Sequence, residues 1–291
     1  MTYHFNKISP TAVFCARMRS KQNIPFSREI VELIDTKYSE YVRDLPDYGD
    51  TLTSKSDFIP FIEGRYYSLN AVLNGIKNTF IVELASGLSP RSLEFLNKSN
   101  IFYVETELKE LVKLKEKIIR EIINKNKLND SNLFFMSINP LKKEDINKIG
   151  QFYLKKGKNK KLIIIHEGLL MYFNKKEKEK FRDNIKYLFQ NYAKKGVWLT
   201  SDFSRFEKKI NEPKGKENIR DKISKVTKRD FYYFRSIEEA RQFLMADGFR
   251  SEIVSNKEVI EKLIEEKGLQ FNKEIILESA YGYRVWKCQL I

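Results

Sequence analysis

The 291-residue chain sets 54 lysines and arginines against 39 aspartates and glutamates, a formal charge of +15, and 42% of its residues are hydrophobic, enough for one large α/β domain or two small ones. Its two cysteines, Cys15 and Cys288, stand near opposite ends, which excludes a disulfide framework and a C-x-x-C metal or redox pair. No apolar run approaches the ~20 residues that cross a bilayer and no charged-then-apolar leader pattern opens the chain, so the expectation is a cytoplasmic protein without a membrane partner.

Taken in order, residues 1–62 lack strand–helix alternation and read as helical, with Arg17, Arg19 and the stretch 27–41 as candidates for a cap over the rest. Residues 63–203 contain five runs of strand length: 79–84 (TFIVEL), 101–105 (IFYVE), 133–138 (LFFMSI), 162–166 (LIIIH) and 197–200 (VWLT); a sixth, 283–290 (YRVWKCQL), lies near the end. Between the second and third runs, Leu108, Leu111, Val112, Leu114, Ile118, Ile119, Ile122 and Ile123 mostly follow the i, i+3, i+4 spacing of a helix with one apolar face. Strand–helix alternation implies right-handed βαβ units, and runs apolar throughout imply a parallel sheet covered on both faces. Residues 204–228 are polar, charged and interrupted by Pro213 and Gly215, which reads as a lid or a plain surface insertion. The expected organisation is a single domain over 1–291: cap 1–62, ligand-binding core 63–203, insertion 204–235, and a helix–strand completion of the sheet over 236–291.

In an open parallel sheet, ligands bind outside the carboxyl ends of the strands, which directs attention to 83–91 (ELASGLSPR). Gly87 lets backbone approach a ligand closely, and Ser89 followed by Pro90 supplies an N-cap and a first helical position. Twenty residues beyond Gly87 stands Glu107, whose carboxylate can accept hydrogen bonds from both ribose hydroxyls of a nucleoside. With Ala85, Gly87 and Pro90 in the three glycine places of G-x-G-x-x-G, the turn suits a pyrophosphate poorly. A nucleoside without phosphates, such as S-adenosylmethionine, asks less. A strand–turn–helix that binds nothing is the alternative.

The stretch 165–173 (IHEGLLMYF) poses the sharpest question. A zinc-protease H-E-x-x-H needs a second histidine where Leu170 stands, and His4 is the chain's other histidine. No G-x-S-x-G elbow is present here, and His166 has no evident triad partner, so it reads as a strand neighbour rather than a base. By position, Glu167 faces the cofactor or the substrate pocket, Tyr172 lines that pocket, and Leu169, Leu170, Met171 and Phe173 form apolar walls. Equally, Glu167 could cap the following helix and Tyr172 could simply be packed.

The basic surplus invites nucleic acid. Of the 54 cations, however, 15 are arginine and 39 lysine, and lysine surfaces are more often solubilising than phosphate-reading. Nucleic acid is therefore the disfavoured partner.

The chain resembles the leucine carboxyl methyltransferase family, and within it the bacterial O-methyltransferases related to the tetracenomycin polyketide methyltransferase. The segments that carry the resemblance are 11–19 (TAVFCARMR), 63–72 (EGRYYSLNAV), 83–91, 103–108 (YVETEL), 132–141 (NLFFMSINPL), 166–173, 196–203 (GVWLTSDF) and 243–249 (FLMADGF), in the family's order. The resemblance implies a Rossmann-like class I methyltransferase fold: a mostly parallel seven-stranded sheet with helices on both faces, an N-terminal helical cap and a lid-like insertion. It further implies S-adenosyl-L-methionine as cofactor, S-adenosyl-L-homocysteine as product, no metal, and methyl transfer onto a carboxylate or hydroxyl of a small molecule or a protein C-terminus. Arg65 would pair with the cofactor's carboxylate, Gly87 would lie against its amino-acid part, and Glu107 would hold the ribose. Ile138 and Asn139 would flank the adenine, Glu167 would complete the site, and Glu83, Ala85 and Glu105 would belong to the same lining. Glu167 and Tyr172 are the catalytic candidates; Arg17, Tyr172 and Asp202 are the candidates for the substrate pocket. Four positions depart from the family: glutamate for aspartate at 107, alanine for glycine at 85, and Ile138–Asn139 for Asp-Leu. Two other classes stay open, a nucleic-acid methyltransferase and a non-catalytic relative, and the sequence leaves the oligomeric state undetermined.

Overall fold

The computed structural model describes residues 9–42, 58–96, 98, 100–203, 224–225, 227, 229–254, 257–266 and 284–291. The described residues begin with four helices, α1 (Ser9–Ser20), α2 (Ser27–Thr36), α3 (Ser39–Val42) and α4 (Phe58–Asn74). Strands and helices then alternate through β1 (Thr79–Glu83), α5 (Arg91–Phe95), β2 (Ile101–Glu107), α6 (Lys109–Asn126), β3 (Leu133–Ser137), α7 (Lys143–Lys156) and β4 (Lys161–His166). A 3-10 turn (Leu170–Tyr172) precedes α8 (Lys175–Tyr192) and β5 (Val197–Thr200); α9 (Ile237–Met245), β6 (Phe249–Val254), α10 (Lys257–Glu266) and β7 (Val285–Leu290) follow.

The sheet has seven strands in the order β3-β2-β1-β4-β5-β7-β6. β1 through β5 pair in parallel, while β7 runs antiparallel to both β5 and β6. The chain therefore winds outward from β1 through β2 to β3, crosses back to β4 beside β1, and winds the other way. That reversal puts a topological switch point between β1 and β4, where a crevice forms outside the carboxyl ends of the strands. The fold is the Rossmann-like, mostly parallel seven-stranded one that the resemblance implies.

Local chemistry explains the elements. All five residues of β1 are buried, as a strand covered on both faces requires. On α6 the stripe from Leu111 to Ile123 is buried, and the helix stops at Lys127, whose left-handed backbone returns its N–H to the carbonyls of Asn124 and Ile123. Asn174 and Glu177 form a reciprocal capping box at the start of α8. β6 is absent from the apolar runs above because it is an edge strand, where Arg250 and Glu252 are left facing out.

Two apolar clusters flank the sheet. One joins α1, α2 and α4 to α6 through Val13, Ile30, Ile34, Leu69 and Ile118. The other holds Phe181, Trp198, Phe203 and Trp286 under α8 and α9. The helical reading of the N-terminal region thus holds for the parts described, while residues 1–8 and 43–57 of the cap and 204–223 of the insertion lie outside the described residues. No described helix is long and apolar enough to cross a membrane.

Candidate cofactor and active site at the switch point

Beyond β1 the backbone turns left-handed twice, at Ala85 (φ +50°) and Gly87 (φ +53°). The amide of Gly87 donates to Glu107 Oε1 at 3.2 Å and that of Leu108 to Oε2 at 2.7 Å, so the carboxylate ending β2 ties the two neighbouring turns together. Burial pushes this carboxyl's pKa up, and the two amides oppose the shift. Glycine is favoured at 87 by its φ; a Cβ there would reach no closer than ordinary contact with α1, 3.4 Å from Ala12 Cβ.

Ala85 has no such excuse. A left-handed L-residue costs about 1–2 kcal/mol, and glycine's extra freedom in the unfolded chain returns about 0.4–1 of that. Ala85→Gly is therefore expected to stabilise the protein by about 0.5–1 kcal/mol in urea denaturation; a loss of stability would show that the turn is not strained.

Across the switch point, Glu167 follows β4 and gathers three arginines. Its Oε1 accepts from Arg19 Nη2 and from Arg65 Nε, each at 2.9 Å, and its Oε2 accepts from Arg91 Nη2. Arg91 also donates to Glu83 and, at 2.7 Å, to Asn70 Oδ1. Its guanidinium lies 4.6 Å from the Tyr66 ring centre. Asp202, whose side chain is buried nearby and is held below the usual carboxylate range, against burial, by His166 and in part by Arg65, is a third carboxylate beside these three arginines. The Arg65, Arg19 and Arg91 charges outweigh burial and hold the Glu167 carboxyl far below the usual carboxylate range.

Sequence reading places Arg65 and Glu167 in the site but neither Arg19 nor Arg91. Arg17 and Arg19 are two residues apart, about 200° round a helix, so they face opposite ways. Arg17 points outward and pairs with Asp35 at 3.0 Å, away from the cluster that Arg19 joins. Arg91 sits inside the quoted turn segment, and its signal is an arginine at the first position of a buried helix, where a cation is disfavoured by the dipole and needs a carboxylate.

Glu83 and Glu105 are cross-strand partners on one face of the sheet. Two buried carboxylates side by side each need a cation. Glu83 takes Arg91 and accepts from Tyr103 Oη at 2.6 Å. Glu105 takes Lys115 from α6, and burial still pushes its carboxyl up against that pairing. Both are thus engaged inside the protein, with exposures of 1% and 0%.

Asp202 acts on the loop that carries Glu167. Its Oδ1 accepts from the Gly168 amide at 2.8 Å, and its Oδ2 accepts from the amides of Leu169 at 2.7 Å and Leu170 at 3.0 Å. His166 Nδ1 lies 3.0 Å from the same Oδ2, while the Trp198 indole donates to His166 Nε2 at 2.9 Å. The ring proton therefore sits on Nδ1 and the other nitrogen is committed. His166 has the partner that sequence did not reveal, but as a buried clamp on Asp202. Leu169, Leu170 and Phe173 are buried as apolar walls would be, whereas Met171 is half-exposed.

Tyr172, on the 3-10 turn, is buried against α1 and its ring centre lies 5.5 Å from that of Phe231. Burial and the nearby Cys15 push its hydroxyl far up, against opposing effects of Thr11 and Arg65. Ile138 is buried, its amide bound to Glu107 O at 2.9 Å. Asn139 Oδ1 accepts from the Leu141 amide at 3.0 Å and shapes its own turn. Ile138 and Asn139 thus stand next to Glu107, on the side of β3.

A scan of protein-family models finds no match to the chain, and no curated protein matches it. Solved structures do. Human N-acetylserotonin methyltransferase in complex with SAM matches at 10% identity over 90% of this chain and 70% of that one, with a TM-score of 0.46. An O-methyltransferase family protein from Burkholderia thailandensis matches at 11% identity over 90% and 71%, with a TM-score of 0.44. A Haemonchus contortus phosphoethanolamine N-methyltransferase, solved with S-adenosyl-L-methionine, matches at 9% identity over 85% and 60%, with a TM-score of 0.42. Among the described residues no group of three or more His, Cys, Asp or Glu is arranged to hold a metal.

Proposed function

We propose that the protein is an S-adenosylmethionine-dependent O-methyltransferase acting on a carboxylate. The observation that carries this reading is Glu107 at the carboxyl end of β2, within hydrogen-bond distance of the Gly87 amide and directed at the turn where a nucleoside would lie. The guanidinium groups of Arg19 and Arg65, at the same end of the sheet, are of the kind that pairs with the carboxylate of an amino-acid tail. Arg65 and Arg19 would hold that carboxylate, Glu107 the ribose, and Ile138 with Asn139 the adenine.

The cofactor supplies an activated methyl group on a sulfonium. The chain's own task is to align the acceptor oxygen with it and to keep water out, which is worth on the order of 7 kcal/mol or more for well-oriented reactants. Glu167, Tyr172 and His166, the groups beside the proposed acceptor position, are not poised to remove a proton at neutral pH. Glu167 is held far below the usual range and Tyr172 far above it, and His166 Nε2 is occupied by Trp198. A carboxylate acceptor needs no base because it is already ionised. A phenol or alcohol would need one.

Calorimetric titration with S-adenosylmethionine and S-adenosylhomocysteine tests the reading. Glu107→Ala removes charge-assisted hydrogen bonds of about 1.5–3 kcal/mol and should weaken binding roughly 10- to 100-fold. Unchanged affinity in the variant, or no binding by the parent at millimolar ligand, would defeat it.

One observation favours a second reading, that of a non-catalytic relative: Glu167 already engages all three arginines from within the protein. Cofactor binding without label transfer from a methyl-labelled donor into a cell extract would select it.

A further inference from the structure

Because β1 through β5 are parallel, their amino ends share one edge of the sheet, opposite the switch point and roughly 15–20 Å from it at the rise of a strand. The connections that reach this edge are rich in lysine: Lys77 before β1, Lys125 and Lys127 before β3, the five lysines of 155–161 (KKGKNKK) before β4, and Lys194 and Lys195 before β5. Lys160 is half-buried and the other nine are exposed. The stretches 74–78, 154–161 and 193–196 contain no acid, and Asp130, in the stretch before β3, is held by Arg120. Lysine ion pairs among the described residues lie elsewhere and involve none of these ten.

The bland account is that lysines favour helix carboxyl ends, whose partial negative charge they complement. It covers Lys125 in the last turn of α6 and Lys155 and Lys156 in that of α7. Lys160 Nζ donates to Asn78 Oδ1 at 3.1 Å and to the Asn100 carbonyl at 2.9 Å. Neither account covers Lys158 and Lys161, which lie beyond the C-cap at Gly157. Aromatic rings also interleave with the charges. Phe102 and Phe134 stack at 6.0 Å and 11°, both half-buried, with Lys160 Nζ 5.0 Å from the first ring and Lys156 Nζ 5.9 Å from the second.

We infer that this pole is a docking face for single-stranded nucleic acid, bound through its phosphates and separate from the methyl-transfer site. The connections lie side by side across five strands, a track of about 19 Å at a strand spacing of about 4.8 Å, long enough for several consecutive phosphates. Exposed amides such as Asn124 and Asn159 add hydrogen-bonding groups that suit sugars and base edges. Lysine without bidentate arginine gives affinity without sequence preference.

The test uses the full chain, a fluorescent 12-nucleotide oligouridylate and a salt series from 50 to 200 mM. A pole variant, Lys155→Gln, Lys158→Gln, Lys161→Gln and Lys195→Gln, is compared with a control, Lys142→Gln, Lys175→Gln, Lys176→Gln and Lys180→Gln, whose lysines are exposed at the opposite edge. The pole variant should lose at least tenfold affinity at 50 mM salt, and its log–log salt slope should fall by about 3, at ~0.7 per phosphate contact. The control should bind as the parent does. No binding by the parent, or equal losses in both variants, would overturn the inference. Binding to phosphatidylserine vesicles without binding to the oligonucleotide would overturn it too, and would assign the face to lipid.

Discussion

Glu167→Gln should cost about 3–5 kcal/mol of folding stability, the range for removing one partner from a buried ion pair. The substitution keeps the shape of the side chain and deletes the charge that Arg19, Arg65 and Arg91 share, leaving Glu83 and Asp202 as the remaining carboxylates beside them. Side-chain exposures of 6%, 10% and 0% for the three arginines leave little room for water to replace the lost carboxylate. Against an ordinary stability of about 5–15 kcal/mol, such a loss is large. Urea denaturation at pH 7 measures it. A change below about 1 kcal/mol would mean that the arginines are not held by this residue. The Glu167 pKa also sets the pH window. Its folded value lies below its ordinary one, so its contribution is fully present above about pH 4.5 and disappears only as the pH falls through the depressed value.

Glu63→Gln should behave in the opposite sense. Glu63 lies on α4 with 1% exposure, and neither carboxyl oxygen completes a hydrogen bond of ordinary geometry. Burial raises its pKa from 4.5 to about 7, with the Asn23 backbone opposing the shift. A carboxyl whose folded pKa is raised favours the folded state below its unfolded value, and that advantage is lost as the pH rises through about 7. At pH 8.5 the ionised group is a penalty of about 3 kcal/mol, because each tenfold change in proton affinity between the unfolded and folded states is worth roughly 1.4 kcal/mol. Removing the charge should recover most of this at pH 8.5 and little at pH 5. Paired urea titrations of parent and variant at the two pH values provide the check. A parent equally stable at both would show that Glu63 stays ionised without cost.

How much could be read in advance divides along the range of the interactions. The strands β1, β2, β4 and β5 show as apolar or β-branched runs because burial on both faces leaves no place for alternation, β3 and β7 are apolar runs although partly exposed, and α6 shows as a stripe. Gly87 and Glu107 were legible for the same reason: a left-handed turn after the first strand asks for glycine, and the end of the next strand lies beside it in any parallel sheet of this order. β6 carries no such apolar run because an edge strand tolerates charge on its outer side, here Arg250 and Glu252. These features are written into contiguous stretches of chain by propensity, pattern and turn chemistry.

The partners of the buried charges were decided by the tertiary structure. Glu167 meets Arg19, Arg65 and Arg91 across sequence separations of 148, 102 and 76 residues, and Asp202 meets His166 across 36. A carboxylate taken out of water must find a cation or an amide, but which one depends on helix phase and on what the switch point brings near it. Helix phase selected Arg19 over Arg17, and register set Glu83 beside Glu105, so that each required its own cation. Composition and spacing fix that such charges exist; only the assembled sheet and its cap determine whom they face.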